Sequence, residues 1–525
     1  METRRKQDSL PHFICYNDAM HRILKVLTSR LVVVAVLVIL QFVLIVAYLS
    51  NLAFLHSLNP ILDGISLFLV LLVINRPADP GYKIAWVIAL LSVPVIGVPA
   101  YILFGNRRLP KKLYYGTLNS SRKLTEMLET DPLNSESYEH GRYANILSYG
   151  AKRCGFPVYE HTDTVFFGSG EEWLPVYLDE LKKAKHFIFI EMFIIAEGSL
   201  WDEVHAVLKQ KAEEGVDVKL IYDDFGSVTM PPHFYKQLKE EGIEAYAFNH
   251  LRPALIITMN NRDHRKITVI DNQTAFTGGV NLADEYANRI KRFGYWRDSA
   301  IMVKGPAVWS MTCQFLGMYH YIVRGDETSD YEKYHLPTEE YDVKGFVQPF
   351  ADTPTDGEET GLTEHLNIIN SARRYLYINS PYLILPDAVE RALITAAGNG
   401  VDVRVMTPHI PDKKLVFECT RSGYEALLQG GVKIYEFIPG FDHSKAIAAD
   451  DEIGIVGSIN TDYRSYFLHF EDGVMLAGTD SVKEIRKDFE KAMGVSHEVT
   501  LDEVKKTNIL VKFIRDVLHV FMPLV

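Results

Sequence analysis

The sequence predicts an α/β protein of two duplicated lobes standing behind a set of N-terminal membrane-spanning helices. Three observations predict it. Long apolar runs crowd the first hundred residues. From about residue 137, short apolar strands alternate with amphipathic helices. One five-point pattern of polar residues then occurs twice, at corresponding places in the two halves. At 525 residues the chain is also too long for a single core.

Residues 1–30 read as a basic cytoplasmic extension and 31–105 as a membrane anchor of two or three spans. Residues 31–49 are apolar except for Gln41, and a helix of that length rises about 28 Å, close to the hydrocarbon thickness of a bilayer. Residues 84–104 are similarly long, with Pro94, Gly97 and Pro99 expected to bend them. Residues 61–74 are fewer and carry Asp63, so they either span or dip in and return. The first run begins too late and is too long for a cleaved signal peptide. Arg22, Lys25 and Arg30 precede it, and Arg107, Arg108, Lys111 and Lys112 open a basic juxtamembrane segment at 106–136. These flanks suit anionic headgroups and, equally, positive-inside anchoring. Three spans would put the two basic groups on opposite sides. A re-entrant 61–74 puts both, and the lobes, in the cytoplasm. A net charge of −12 argues against a nucleic-acid binder. Cys15, Cys154, Cys313 and Cys419 lie too far apart for a metal or disulfide framework.

The first lobe is expected at 137–325, a polar linker at 326–342 and the second lobe at 343–525. In the first, residues 185–191 read as a strand, 200–214 as a helix and 215–222 as the next strand. In the second, 374–379, 388–398 and 400–405 repeat that scheme, and the matching Gly-Val-Asp-Val stretches start at Gly215 and Gly400. The period is that of a whole domain, not of a solenoid.

The repeated pattern is the strongest signal. After His264 come Lys266, Asp271, Gly278 and Asn281; after His443 come Lys445, Asp450, Gly457 and Asn460, at identical spacings. Residues two apart on a strand share a face, so each His and its Lys point together. The aspartates lie an odd number of residues from the histidines and open turn-like triplets, which argues for structural pins. If each turn closes a hairpin, Asn281 returns opposite His264 and Gly279 opposite Lys266, with Asn460 facing His443 and Ser458 facing Lys445. The candidate set is therefore His264, Lys266, Asp271, His443, Lys445 and Asp450, supported by Asn281, Asn460, Ser458 and Gly279.

Two such half-sites face to face would offer two imidazoles, two ammonium groups and two amides, a pocket for a phosphodiester. Lys and Asn can bind the non-bridging oxygens. One neutral His can attack phosphorus while the other, protonated, supplies the leaving alkoxide with a proton. No cluster with metal-ligand spacing stands out, so neither a metal nor another cofactor is expected.

The duplicated motif resembles the one that defines the phospholipase D superfamily, whose members are two-lobed α/β proteins working through a phosphohistidine at the lobe interface. Further stretches resemble the cardiolipin synthases: residues 82–86 (YKIAW), 94–97 (PVIG) and 101–105 (YILFG), then 278–286 (GGVNLADEY), 296–298 (WRD), 462–465 (DYRS) and Phe470-Glu471. The resemblance covers roughly residues 60–525. It implies transfer of a phosphatidyl group between two phosphatidylglycerol molecules by a multi-pass enzyme of the bacterial plasma membrane, with phosphatidylglycerol and an anionic bilayer as partners and no obligate protein partner. A phospholipase D-type hydrolase, another phosphatidyltransferase and an inactive scaffold are the alternatives. It further implies that an acidic residue some thirty positions after each motif histidine, Asp298 and Glu471, orients that imidazole. His469 departs from the family, which usually has Asn there.

Overall fold

The computed structural model describes residues 54–105, 111–129, 137–250, 261–325 and 330–524. The expected first span at 31–49 lies outside them. The remainder of the expected anchor takes a different form from transmembrane helices. Among the described residues no helix is long and apolar enough to cross a membrane. Residues 84–104 are split between α2 (Pro80–Ser92) and α3 (Pro94–Phe104), which follow α1 (Phe54–Asn75). The break is at Val93, with φ −143° and ψ 75°, because Pro94 has no N–H to continue the ladder and drives its predecessor out of helical geometry. The resulting helices rise only about 20 Å and 17 Å, against about 30 Å of hydrocarbon. They fold back on one another and on α1. The Trp86 and Tyr101 rings meet edge to face at 5.1 Å, and Ser66 Oγ donates to Leu90 O at 2.8 Å. At Gly97 a Cβ would lie 2.3 Å from Ala89 O, so only glycine allows this approach. Helix α4 (Lys111–Glu129) then leads into the lobes.

Lobe 1 carries β1 (Asp163–Phe167), β2 (Phe187–Met192), α5 (Ser199–Glu213), β3 (Asp217–Asp223), β4 (Glu244–Phe248), β5 (Lys266–Ile270), β6 (Thr274–Gly278), β7 (Tyr295–Arg297), β8 (Ala300–Lys304) and α6 (Val308–Val323). Lobe 2 carries β9 (Phe346–Asp352), β10 (Tyr375–Asn379), α7 (Asp387–Gly398), β11 (Asp402–Pro408), α8 (Lys414–Ser422), α9 (Tyr424–Gln429), β12 (Lys433–Phe437), β13 (Gly440–Asp442), β14 (Ala446–Ala449), β15 (Ile453–Gly457), β16 (Glu471–Ala477) and β17 (Ser496–Val499), and ends in α10 (Ile509–Phe521). The first sheet runs β1-β8-β6-β5-β2-β3-β4 and the second β9-β16-β15-β14-β10-β11-β12-β17. The topology is the same, with β17 added at one edge. The duplication read from the Gly-Val-Asp-Val stretches is thus a duplication of the sheet. In both lobes a parallel β-α-β unit joins an antiparallel hairpin, β5–β6 or β14–β15. Strand β2 is buried along its whole length, as expected where a sheet is covered on both faces.

The lobes share a core in which Phe187, Phe189 and Phe315 pack in one cluster with Val456, Val474 and Phe489. They are also stitched by backbone. Strands β7 and β13 pair in parallel across the interface, with Arg297 beside Asp442, and Asp263 bridges Phe470 in the same sense.

Candidate active site

Each motif histidine stands one residue past one of these inter-lobe bridges. Asp263 beside Phe470 sets His264 against Glu471; Asp442 beside Arg297 sets His443 against Asp298. His264 Nδ1 lies 2.9 and 3.0 Å from the two Glu471 oxygens. His443 Nδ1 lies 2.6 Å from Asp298 Oδ2. The pairs are crossed, every imidazole being held by a carboxylate of the other lobe. The expectation that each carboxylate serves the histidine upstream of it in the chain does not match this pairing, which parallel strand register across the interface dictates.

All four side chains are buried. Burial drives both histidines well below their ordinary pKa, against the opposing charge of Glu471 on His264. Burial also pushes Asp298 up to about 6, with Lys445 opposing. For Glu471 burial acts upward too, but His264 and His469 outweigh it and hold the carboxyl below its usual range. Lys266 falls to about 8 and Lys445 to about 7, burial again being the leading cause. Each ammonium group donates to the carbonyl of its own motif histidine at 2.5 Å. His264 meets Phe193 edge to face at 4.8 Å, and Trp296 and Tyr286 flank His443.

The hairpin turns are three residues long, Ile270 pairing with Thr274 and Ala449 with Ile453. An odd turn shifts the expected register by one: extending the ladder brings Gly278, not Gly279, opposite Lys266, and Gly457 N, not Ser458 N, donates to Lys445 O. Asp271 and Asp450 both have positive φ, 52° and 59°, a conformation that Asp tolerates. Their carboxylates point away from the histidines. Asp271 accepts the backbone N–H groups of Lys185, His186 and Phe187 at 2.6–2.8 Å, and Asp450 those of Arg373, Arg374 and Tyr375 at 2.8–3.0 Å.

The supporting residues divide. A Cβ on Gly279 would sit 1.9 Å from Asp298 Oδ1, so this glycine makes room for the carboxylate. Its counterpart Ser458 instead donates to Glu471 Oε2 at 2.5 Å. Asn281 Oδ1 accepts from Ile194 N at 2.9 Å, whereas Asn460 Oδ1 is buried without a hydrogen-bond partner among the described residues. His469 stands with its Nδ1 3.5 Å from Glu471 Oε1 and its ring 5.3 Å from that of His264. His264, His469 and Glu471 are the one set of three or more metal-capable side chains, among the described residues, whose ligand atoms lie within 4.8 Å of one another. Lys266 and Arg464 add positive charge beside it. Sequence spacing hid this set because its members come from both lobes.

Several residues escaped the sequence reading. Asp263 and Asp442 precede the motif histidines in both copies, a signal that was available. Arg297 Nη1 donates to both oxygens of Asp442 at 2.8 and 2.9 Å, and Arg265 reaches Glu191 at 2.7 Å. These buried ion pairs brace the strands that carry the histidines. After the carboxylates, Ser299 Oγ and Asp472 Oδ1 accept the backbone N–H groups of Lys445 and Lys266.

Comparison with known proteins bears on what this arrangement does. The family profile described as "Cardiolipin synthase, PLD-like domain" matches residues 177–304 and again 366–493, and one described as "Phospholipase_D-nuclease N-terminal" matches 64–106. Cardiolipin synthase 2 of Bacillus anthracis is 34% identical over 88% of this chain and 90% of its own length. Cardiolipin synthase of Geobacillus kaustophilus is 33% identical over 87% and 92%. The fold is similar to that of phosphatidylserine synthase from Haemophilus influenzae, with a TM-score of 0.52 at 14% identity over 70% of this chain and 94% of that one.

Proposed function

We infer the reaction of this site from one premise: the chain belongs to the cardiolipin synthase family of phospholipase D-like proteins. It is a phosphatidyltransferase acting at a membrane, where its lipids reside. The observation that carries the chemistry is the crossed pair of imidazoles, each bound through Nδ1 to a buried carboxylate. A carboxylate at Nδ1 fixes the proton there, which leaves the Nε2 lone pair for nucleophilic or base chemistry.

His264 Nε2 attacks the phosphorus of a first phosphatidylglycerol. The bond to glycerol breaks, and His443 gives its Nε2 proton to the departing oxygen. Lys266 and Lys445 turn from the histidine carbonyls to the non-bridging oxygens and hold their charge. The arriving anion also raises the proton affinity of His443, which burial had depressed. The terminal hydroxyl of a second phosphatidylglycerol then loses its proton to His443 and attacks phosphorus. The P–N bond breaks, and cardiolipin leaves. The unpaired Asn460 Oδ1 is a ready acceptor for a substrate hydroxyl.

The test is product analysis with purified protein on phosphatidylglycerol vesicles. Cardiolipin and free glycerol in equal amounts are expected. Phosphatidic acid with glycerol and no cardiolipin would make water the acceptor and the protein a hydrolase.

A further inference from the structure

The last helix leaves its apolar stripe exposed. In α10 polar side chains tie the helix to the protein: buried Arg515 donates through Nε to Glu418 of α8 at 2.7 Å, half-buried Lys512 donates to Glu425 of α9 at 3.0 Å, and His519, itself exposed, pairs through Nδ1 with Ser422 Oγ at 3.1 Å. The apolar side chains face out. Ile509 is 85% exposed, Leu510 64% and Phe513 63%, with Ile514 and Val517 beside them on the same arc. A helix that merely packs on a globular protein buries its apolar stripe and wets its polar one. Here the ion pairs of Arg515 and Lys512 hold the helix to the protein while its apolar arc is left exposed, which is a costly arrangement in water.

The apolar arc does not stand alone. Helix α10 and the short turn after it pack against α2, where Ile84, Ile88 and Leu91 are exposed. Phe68 and Leu71 of α1 and Ile102 and Leu103 of α3 extend the exposed apolar surface. Lys505 and Lys506 stand just ahead of α10. A groove of about 320 Å³ is lined by Tyr82, Trp86 and Phe104 of the hairpin and by Asn261, Phe467 and Leu468. Leu468 precedes His469, two residues from Glu471.

We propose that α10 and the exposed face of α1–α3 form one seat in the acyl region of a single bilayer leaflet. α10 lies in the plane of the interface, and the groove faces lipid. The occupant is a bilayer rather than a second copy because the apolar arc is flanked by lysines suited to anionic headgroups and continues across four helices to a groove beside the site. This deepens the proposed function by supplying the route along which a bilayer lipid reaches the histidines, and it rests on that reading.

The test uses the full chain in vesicles of phosphatidylcholine and phosphatidylglycerol with brominated acyl chains. Phe513→Trp adds an indole to the five native ones; Phe489→Trp adds one in the buried core shared by the lobes. Relative to the parent, the indole at 513 should be quenched by bromine when the vesicles are added, and that at 489 should not. An unquenched indole at 513 overturns the seat, and so does emission that follows protein concentration instead of lipid, which would assign the face to a second copy. In a second arm, Leu510→Ser/Phe513→Ser should reduce turnover on vesicles about 10-fold or more relative to turnover on monomeric short-chain phosphatidylglycerol. An unchanged ratio also overturns the seat. A parent that makes no cardiolipin from either substrate sinks the functional reading, while quenching still decides the docking.

Discussion

Replacing Glu471 by Gln and Asp298 by Asn separates the two half-reactions, because the crossed pairing assigns each carboxylate to one histidine. Glu471→Gln keeps the volume and one acceptor but removes the charge that faces His264 Nδ1 at 2.9 and 3.0 Å. It also puts an amide against the Ser458 hydroxyl, now 2.5 Å from Oε2. Breaking a buried, hydrogen-bonded ion pair costs about 3–5 kcal/mol. Expressed in the step that places positive charge on the imidazole, that is roughly 10²–10⁴ in rate. The assay compares phosphatidylglycerol with an analogue whose leaving group is p-nitrophenol, read as the first burst of nitrophenol. Glu471→Gln should lose activity on both, since His264 must attack either substrate. Asp298→Asn should lose as much on phosphatidylglycerol and recover most of the burst on the analogue, because nitrophenolate leaves without a proton. Recovery by Glu471→Gln in place of Asp298→Asn would mean that Glu471 serves the leaving-group acid, and would overturn the assignment of the carboxylates to the two half-reactions. Equal loss by both variants on both substrates, with unchanged melting, would remove the division of labour altogether.

Four further outcomes follow from the same geometry. With Lys445 lowered to about 7 and Lys266 to about 8, their charge is complete only about one pH unit below the lower value and lost about one pH unit above the higher, so kcat/KM for an anionic lipid should fall as pH rises through that window; Lys445→Arg, which does not titrate there, should move the alkaline limb upward. Asp271→Asn trades a carboxylate serving three backbone N–H groups for an amide with one acceptor, and should destabilise lobe 1 by about 2–3 kcal/mol while the folded fraction, measured by active-site titration, keeps its turnover. Gly279→Ala must displace Asp298 and should lose about 10²-fold, whereas Ser458→Ala gives up one hydrogen bond and should lose about 10-fold. Turnover should persist in a strong chelator, once the ionic strength of the vesicle suspension is matched.

The sequence announced the duplication because a repeated domain repeats its spacing, and the β-α-β units at 187–223 and 375–408 fall where period-two apolar runs and Gly-Val-Asp-Val starts place them. What it could not announce lies between the lobes. The partner of His264 is 207 residues away, whereas an acid expected some thirty positions after each motif histidine points to Asp298. The hairpin register depended on whether the turn held an odd or an even number of residues, which Asp-Asn-Gln alone does not decide. The run at 84–104 was apolar enough to suggest a span. Composition counts apolar residues, but the helix ends where an N–H is missing, and Pro94 decides it.

The two half-sites share a plan but not a chemistry, and the difference bears on which histidine carries the phosphatidyl group. A phosphorylated imidazole holds positive charge for the whole life of the intermediate, so its carboxylate must stay anionic throughout. Glu471 meets that demand: His264 and His469 hold its pKa low against burial, and the Ser458 hydroxyl donates a hydrogen bond to it. Asp298 has Gly279 where Glu471 has Ser458, and burial lifts it to about 6. A carboxylate so nearly balanced suits an imidazole that gains and loses a proton within each turnover. The asymmetry therefore favours His264 as nucleophile and His443 as acid and base. Labelled phosphatidylglycerol quenched after mixing should leave an acid-labile phosphoramidate on the peptide containing His264. With the nitrophenyl analogue, label should accumulate in His443→Asn and be absent in His264→Asn. Label on the peptide containing His443 would invert the assignment, and with it the claim that the better-held carboxylate marks the nucleophile.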